Sequence, residues 1–212
     1  MIRRPPCEAE RNDKKMESNE KKIVNSFSSK GVFPPKYAFT LLIPFRNIFL
    51  SPKKLIRRLD LKEDFKVLEI GPGPGYFSTH LAKKLKHGRL VLLDIQQEML
   101  DMAKKRLVKR KILNVEYKLT NGISLELESN IFDRIFMVTV LGEVENKDNY
   151  LKEVNRTLKE GGILSISELA GDPDKITIEE IQLLVCKYGF EVSHIFGSHR
   201  NYTANFKKKN SI

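Results

Sequence analysis

Val67-Leu68-Glu69-Ile70-Gly71-Pro72-Gly73-Pro74-Gly75-Tyr76-Phe77 is the stretch whose reading decides the fold. Four residues of an apolar strand run into a glycine-rich turn, and a helical pattern follows from Tyr76. In an open parallel sheet such a turn lies beyond the carboxyl end of a strand, where ligands bind. Glycine lets the main chain approach a ligand closely, and the opening of the next helix offers free amides to a carboxylate. The spacing narrows the ligand. A dinucleotide fingerprint needs glycines at its first, third and sixth positions. Here Gly71, Gly73 and Gly75 stand at the first, third and fifth, and the sixth is Tyr76. No Gly-Lys-Ser/Thr phosphate loop accompanies them. Because Gly71 and Gly73 each precede a proline, extended geometry is expected at both, with the helix beginning only after Pro74.

About twenty residues on, Leu90-Val91-Leu92-Leu93-Asp94 is a second apolar strand ending in an acid. Two carboxylate oxygens at that point can take both ribose hydroxyls of an adenosine. Asp94 also suits the cap of the helix expected near Gln96.

Outward from these runs, strand patterns at 67–70, 90–93, 115–119, 131–140, 162–167, 191–196 and 202–206 alternate with helical patterns at 76–86, 96–111, 147–159 and 178–188. His87-Gly88, Gly161-Gly162 and Gly189 are read as helix-ending glycines. The alternation predicts an α/β fold with a parallel sheet built from right-handed crossovers. The last two strands are too close for a crossover helix and should form an antiparallel hairpin. Residues 1–30 read as a polar, mobile leader and 31–212 as a single domain, its α/β core spanning 66–207. Residues 31–59 carry short amphipathic stretches after Pro34-Pro35, Pro44 and Pro52, and Ser51-Pro52 is a good cap and first-turn pair for a helix to Leu59.

The 212 residues carry a net charge of +11, distributed unevenly. Residues 1–30 hold +3, 31–66 hold +5 and 200–212 hold +4, which leaves −1 for 67–199. Basic flanks can recruit nucleic acid or an anionic surface, although a solvated tail is the plainer account. Cys7 and Cys186 are too few for a disulfide framework, and Cys186 sits in an apolar run as a small buried hydrophobe would. The four histidines lack metal-ligand spacing, so no metal is expected. The apolar stretch 37–50 is broken by Pro44 and Arg46 and falls short of a membrane span. With no signal peptide, a cytoplasmic protein is expected.

Taken together, these motifs resemble the class I S-adenosylmethionine-dependent methyltransferases, in particular the small branch with the ubiquinone/menaquinone-biosynthesis C-methyltransferases. The run from Val67 to Gly75 matches the family's first motif, and Leu92-Leu93-Asp94-Ile95 with Met99-Leu100-Asp101-Met102-Ala103-Lys104 its second. The stretch from Leu151 to Leu164 matches its helix, double-glycine turn and fifth strand. The resemblance implies a Rossmann-like, seven-stranded sheet of order 3-2-1-4-5-7-6 and S-adenosylmethionine as cofactor. It also implies that Glu69 and Gly71–Gly75 hold the methionyl part, Asp94 the ribose, and that Ile95 packs on the adenine. Pro72, Tyr76 and Val138 complete the implied cofactor set. Where the family usually carries an acid for the adenine amino group, this chain reads Thr120-Asn121-Gly122. The Asn121 side-chain oxygen is the acceptor expected there.

The family moves a methyl group in line from a sulfonium to a nucleophile, and a base is needed only if that nucleophile carries a proton. Glu143, Glu168 and Tyr37 are the candidates by position, and the sequence does not choose between them. Several acceptors are argued down. Val138-Thr139-Val140-Leu141-Gly142-Glu143 stands where base-amino enzymes carry Asn/Asp-Pro-Pro-aromatic. Neither cysteine lies near that strand end, as a cytosine-C5 enzyme requires. A small or lipophilic acceptor remains, beneath an expected roof of Phe33, Tyr37, Phe39, Leu41, Leu42, Phe45 and Phe49. An RNA or protein methyltransferase recruited by the basic flanks, and a non-catalytic cofactor-binding scaffold, are the alternatives.

Overall fold

The computed structural model describes residues 50–170, 172 and 174–209. The expected leader, the expected roof residues and Tyr37 lie outside them. Seven strands carry the described chain: β1 (Lys66–Ile70), β2 (Arg89–Asp94), β3 (Val115–Leu119), β4 (Phe132–Val138), β5 (Leu158–Glu168), β6 (Phe190–Ser198) and β7 (Asn201–Lys208). They form one sheet of order β3-β2-β1-β4-β5-β7-β6. All pairs from β3 to β5 are parallel, and β7 is antiparallel to both β5 and β6.

The α-helices among the described residues are α1 (Pro52–Arg58), α2 (Ser78–Lys84), α3 (Gln97–Lys109), α4 (Lys147–Thr157) and α5 (Ile178–Cys186). They divide between the two faces. On one, Leu55, Leu81, Leu100 and Leu107 of α1–α3 pack on Val67, Leu90, Leu92 and Phe136. On the other, Leu151, Val154, Ile181 and Val185 of α4 and α5 pack on Leu68, Ile70, Leu164 and Phe206. Central strands buried on both faces read as near-continuous apolar runs, which is why they were visible in the sequence. Ser51 caps α1 through its side chain, with Pro52 in the first turn. Thr177 and Glu180 form a reciprocal capping box on α5.

Three expectations change. Gly161 and Gly162 do not end a helix: α4 stops at Thr157 and β5 starts at Leu158, with both glycines inside the strand. They lie in a bulge where register jumps from Phe132↔Leu158 to Arg134↔Ile163. Gly161 takes φ of 68°, a conformation that lets the extra residues of β5 fold outward. Cys186, expected in the core, is half-buried at the end of α5. Lys208, counted in a basic flank, is buried. Its ammonium donates to Asn130 Oδ1 (3.0 Å) and to the main-chain oxygens of Asn155 and Leu158 (2.7 Å each). It thereby caps the carboxyl end of α4.

Candidate active site

A cavity of about 360 Å³ opens beyond the carboxyl ends of β1, β2 and β4. β1 delivers Glu69 and then the turn. Gly71, Gly73 and Gly75 all have positive φ, at 65°, 53° and 78°. Extended geometry was expected at the first two, but the bias before proline arises largely from a clash with Cβ, which glycine lacks. α2 opens at Ser78, two residues later than the pattern suggested.

The three glycines serve different neighbours. Gly71 and Gly73 line the cavity and Gly75 does not. A Cβ on Gly71 would collide with the Val140 side chain, and one on Gly75 would sit 3.2 Å from Ala103 Cα and Cβ in α3. Gly75 therefore sets helix packing, while Gly73 faces the ligand space.

Asp94 ends β2 beside this turn. Its Oδ1 accepts the Gln96 amide at 3.0 Å, and the amides of Ile95 and Gly73 also point to its carboxylate. Burial pushes its pKa up to about 6, and those three amides hold it back from rising further. Glu69 is only 2% exposed, and its Oε2 has no hydrogen-bond partner. Burial, with the Asp94 charge as a lesser contributor, pushes it up to about 8 against the opposing pull of the Ser78 hydroxyl.

Of the other residues singled out, Pro72, Tyr76, Ile95, Asn121, Gly122, Val138 and Glu143 line the same cavity. Asn121 has a different bonding pattern from the one expected. Its Oδ1 accepts the amides of Ile123 (2.9 Å) and Ser124 (3.1 Å), which uses both lone pairs within its own loop. The group left for a ligand is the Nδ2 donor, opposite in sense to the acceptor expected there. Glu168 does not line the cavity. It is fully buried at the end of β5, both carboxylate oxygens lack a partner, and burial first, then the Asp172 and Glu143 charges, push it up to about 8.

The structure adds residues the sequence did not indicate. Thr139 follows β4 with φ of 55°, a genuine outlier for a β-branched side chain. Its amide donates to Ser167 O at 2.8 Å, which ties the end of β4 to β5 at the cavity wall. Met99, Phe136 and Tyr150 supply apolar wall. Tyr150 sits at a core-facing position of amphipathic α4, where sequence reads only packing. Among the described lining residues, Glu69, Asp94, Glu143 and Glu145 are acidic and none is Lys, Arg or His. An anionic cofactor such as a dinucleotide has no counter-charge here. A cationic one does.

Comparisons with known proteins agree with this chemistry. A family model described as a methyltransferase domain matches residues 61–207. The ubiquinone/menaquinone biosynthesis C-methyltransferase UbiE of Hydrogenovibrio crunogenus is 38% identical over 106 residues, 49% of this chain and 42% of that protein. UbiE of Escherichia coli is 32% identical over 134 residues, 62% of this chain and 52% of its own length. The chain thus spans about half the length of these curated relatives. A crystal structure of a SAM dependent methyltransferase from Aquifex aeolicus superposes with a TM-score of 0.78 at 25% identity, covering 82% of this chain and 98% of that one.

Proposed function

The chain belongs to the S-adenosylmethionine-dependent methyltransferase domain family, and on that premise we propose that it methylates a small, lipophilic acceptor. The observation that carries this reading is the lining of the cavity around the glycine turn, which among the described residues is acidic and holds no Lys, Arg or His. S-adenosylmethionine brings an ammonium, a sulfonium and a ribose diol, and the residues present fit each. Asp94, at a strand end and already oriented by main-chain amides, takes the ribose hydroxyls. Glu69, whose Oε2 lacks a partner, takes the ammonium. The turn from Gly71 to Gly75 brings main chain against the methionyl part. Ile95 and Gly122 would flank the adenine, and Asn121 would offer it the Nδ2 donor.

When bound, the cofactor supplies an electrophilic methyl group on its sulfonium. Tyr76, Phe136, Val138 and Tyr150, which line the cavity, would exclude water from it, and a dry site favours the loss of charge that accompanies methyl transfer from a sulfonium. If the acceptor atom carries a proton, Glu143 or Glu145, both of which line the cavity, would receive it. Glu168 is buried away from that lining.

The activity for which the relatives are named, C-methylation in ubiquinone/menaquinone biosynthesis, supports a lipophilic ring as acceptor. The test is transfer of tritiated methyl from S-adenosylmethionine by the purified chain into cell extract separated into lipid, small-molecule, RNA and protein fractions. The expected label is in the lipid fraction. Label confined to RNA or protein overturns the acceptor reading, and no label in any fraction overturns the activity.

A further inference from the structure

Six large hydrophobic residues stand exposed among the described ones: Ile95, Val108, Leu113, Leu119, Ile123 and Leu183. All but Leu183 lie along one flank of the molecule, the β3 edge of the sheet with α3 beside it. Val108 is on α3, Leu113 is in the turn into β3 and 83% exposed, and Leu119 ends β3. Ile95 and Ile123 continue the row onto the rim of the cavity, which both also line.

The same flank concentrates positive charge. Residues 104–111 hold six cations and no acid, and Lys104, Lys105, Lys109, Arg110 and Lys111 are all exposed. None of these five is in an ion pair among the described residues. One or two cations in a last turn complement a helix dipole. Six exceed that need, and among the described residues the five exposed ones meet no carboxylate, although Lys104 lies over the Tyr117 ring and Arg110 donates to the Arg106 main-chain oxygen.

We propose that the α3–β3 flank docks on an anionic bilayer surface, its lysines meeting lipid headgroups and its exposed aliphatic side chains entering the interface. Apolar tips among lysines that are in no ion pair are what an interfacial lipid contact uses. A single-stranded nucleic acid needs aromatic platforms, and the aromatic side chain on this flank, Tyr117, is half-buried beneath Lys104. Docking by this edge places the cavity rim at the bilayer. The choice of a bilayer over another polyanion rests in part on the lipophilic acceptor proposed above. No helix among the described residues is long and apolar enough to cross a membrane, so contact by this flank is peripheral.

The experiment is co-sedimentation of the full chain with phosphatidylcholine vesicles, with and without phosphatidylglycerol. The wild type is expected to pellet only with phosphatidylglycerol present. Lys104→Gln/Lys105→Gln/Lys109→Gln should weaken that binding about 100-fold, roughly fivefold per lysine. Leu113→Asn should make the remaining binding more salt-sensitive. Lys53→Gln/Lys54→Gln on α1, the control for basic charge elsewhere, should bind as wild type. An undiminished melting shift with adenosylhomocysteine shows that the triple variant keeps its fold and cofactor site. Equal vesicle binding by the triple variant, loss through the α1 control instead, or no vesicle binding by the wild type overturns the proposal. So does a patch-dependent affinity for mixed RNA in place of vesicles. Methyl label found in RNA would sink the acceptor reading alone, and vesicle binding would still be read on its own terms.

Discussion

At Gly73 the main chain turns with φ of 53° and its amide points to the Asp94 carboxylate, so one residue links the turn to β2 across the cavity floor. Gly73→Ala should lower the ligand-free melting point only modestly, since a left-handed alanine costs about 1–2 kcal/mol. It should abolish the rise in melting temperature that adenosylhomocysteine gives the wild type, because a methyl group intrudes where the cofactor meets main chain. Retention of the full ligand shift would show that the turn is not the binding element. The spacing of Gly71, Gly73 and Gly75 was legible in the sequence, but their division of labour was not. It depends on Val140 and Ala103, which only the fold brings to Gly71 and Gly75. Thr139 was invisible for the same kind of reason: nothing in its side chain announces a left-handed backbone. The Asn121 amide shows a further limit, since its local loop competes for the oxygen that composition alone would give to a ligand.

Among elements, the junction of α4 and β5 is held by a residue from the far end of the chain. Lys208 on β7 gives its three ammonium donors to Asn130, Asn155 and Leu158. Lys208→Met keeps the apolar stem and leaves the buried Leu158 oxygen and the half-buried Asn155 oxygen without the ammonium, a loss of about 1–3 kcal/mol. Urea unfolding should show a lower midpoint with an unchanged slope. A midpoint equal to wild type would mean that water replaces the ammonium without cost. Alternating strand and helix patterns made the elements and the parallel core readable, because buried parallel strands and amphipathic helices have distinct periods, whereas the strand order came only from the family resemblance. The boundary at Gly161-Gly162 was not readable. Pairing of Leu158 with Phe132 pulls the chain into β5 before the glycines are reached.

For the molecule as a whole, buried carboxyls decide how stability responds to pH. Glu69 and Glu168 are pushed up to about 8 and Asp94 to about 6. The folded chain therefore binds protons that the unfolded chain has already released, and stability falls as pH rises from the ordinary carboxylate range toward about 8. Glu116 and Glu153 are held low, chiefly by hydrogen bonds from Arg89 and Arg156, and contribute stability that is lost on acidification. Stability should therefore peak near about pH 5. Glu168→Gln, neutral at every pH, should stabilise the chain at pH 8 by on the order of 2 kcal/mol and change little at pH 5. Thermal melts across that range check this, and a variant whose profile parallels wild type would show that Glu168 does not titrate there. Charge also shows where reading by segment failed. A net charge of −1 over 67–199 concealed the six cations of residues 104–111, because acids elsewhere in the segment offset them numerically.

The central claim is that the cavity at the ends of β1 and β2 holds S-adenosylmethionine through Asp94, Glu69 and the glycine turn. Titration calorimetry of adenosylhomocysteine into wild type and Asp94→Ala tests it most directly. The wild type should bind one ligand per chain. The variant should bind about 10- to 100-fold more weakly, in line with the roughly 1.5–3 kcal/mol of hydrogen bonds to a charged group. No binding by the wild type, or unchanged affinity in a folded Asp94→Ala, would contradict the account.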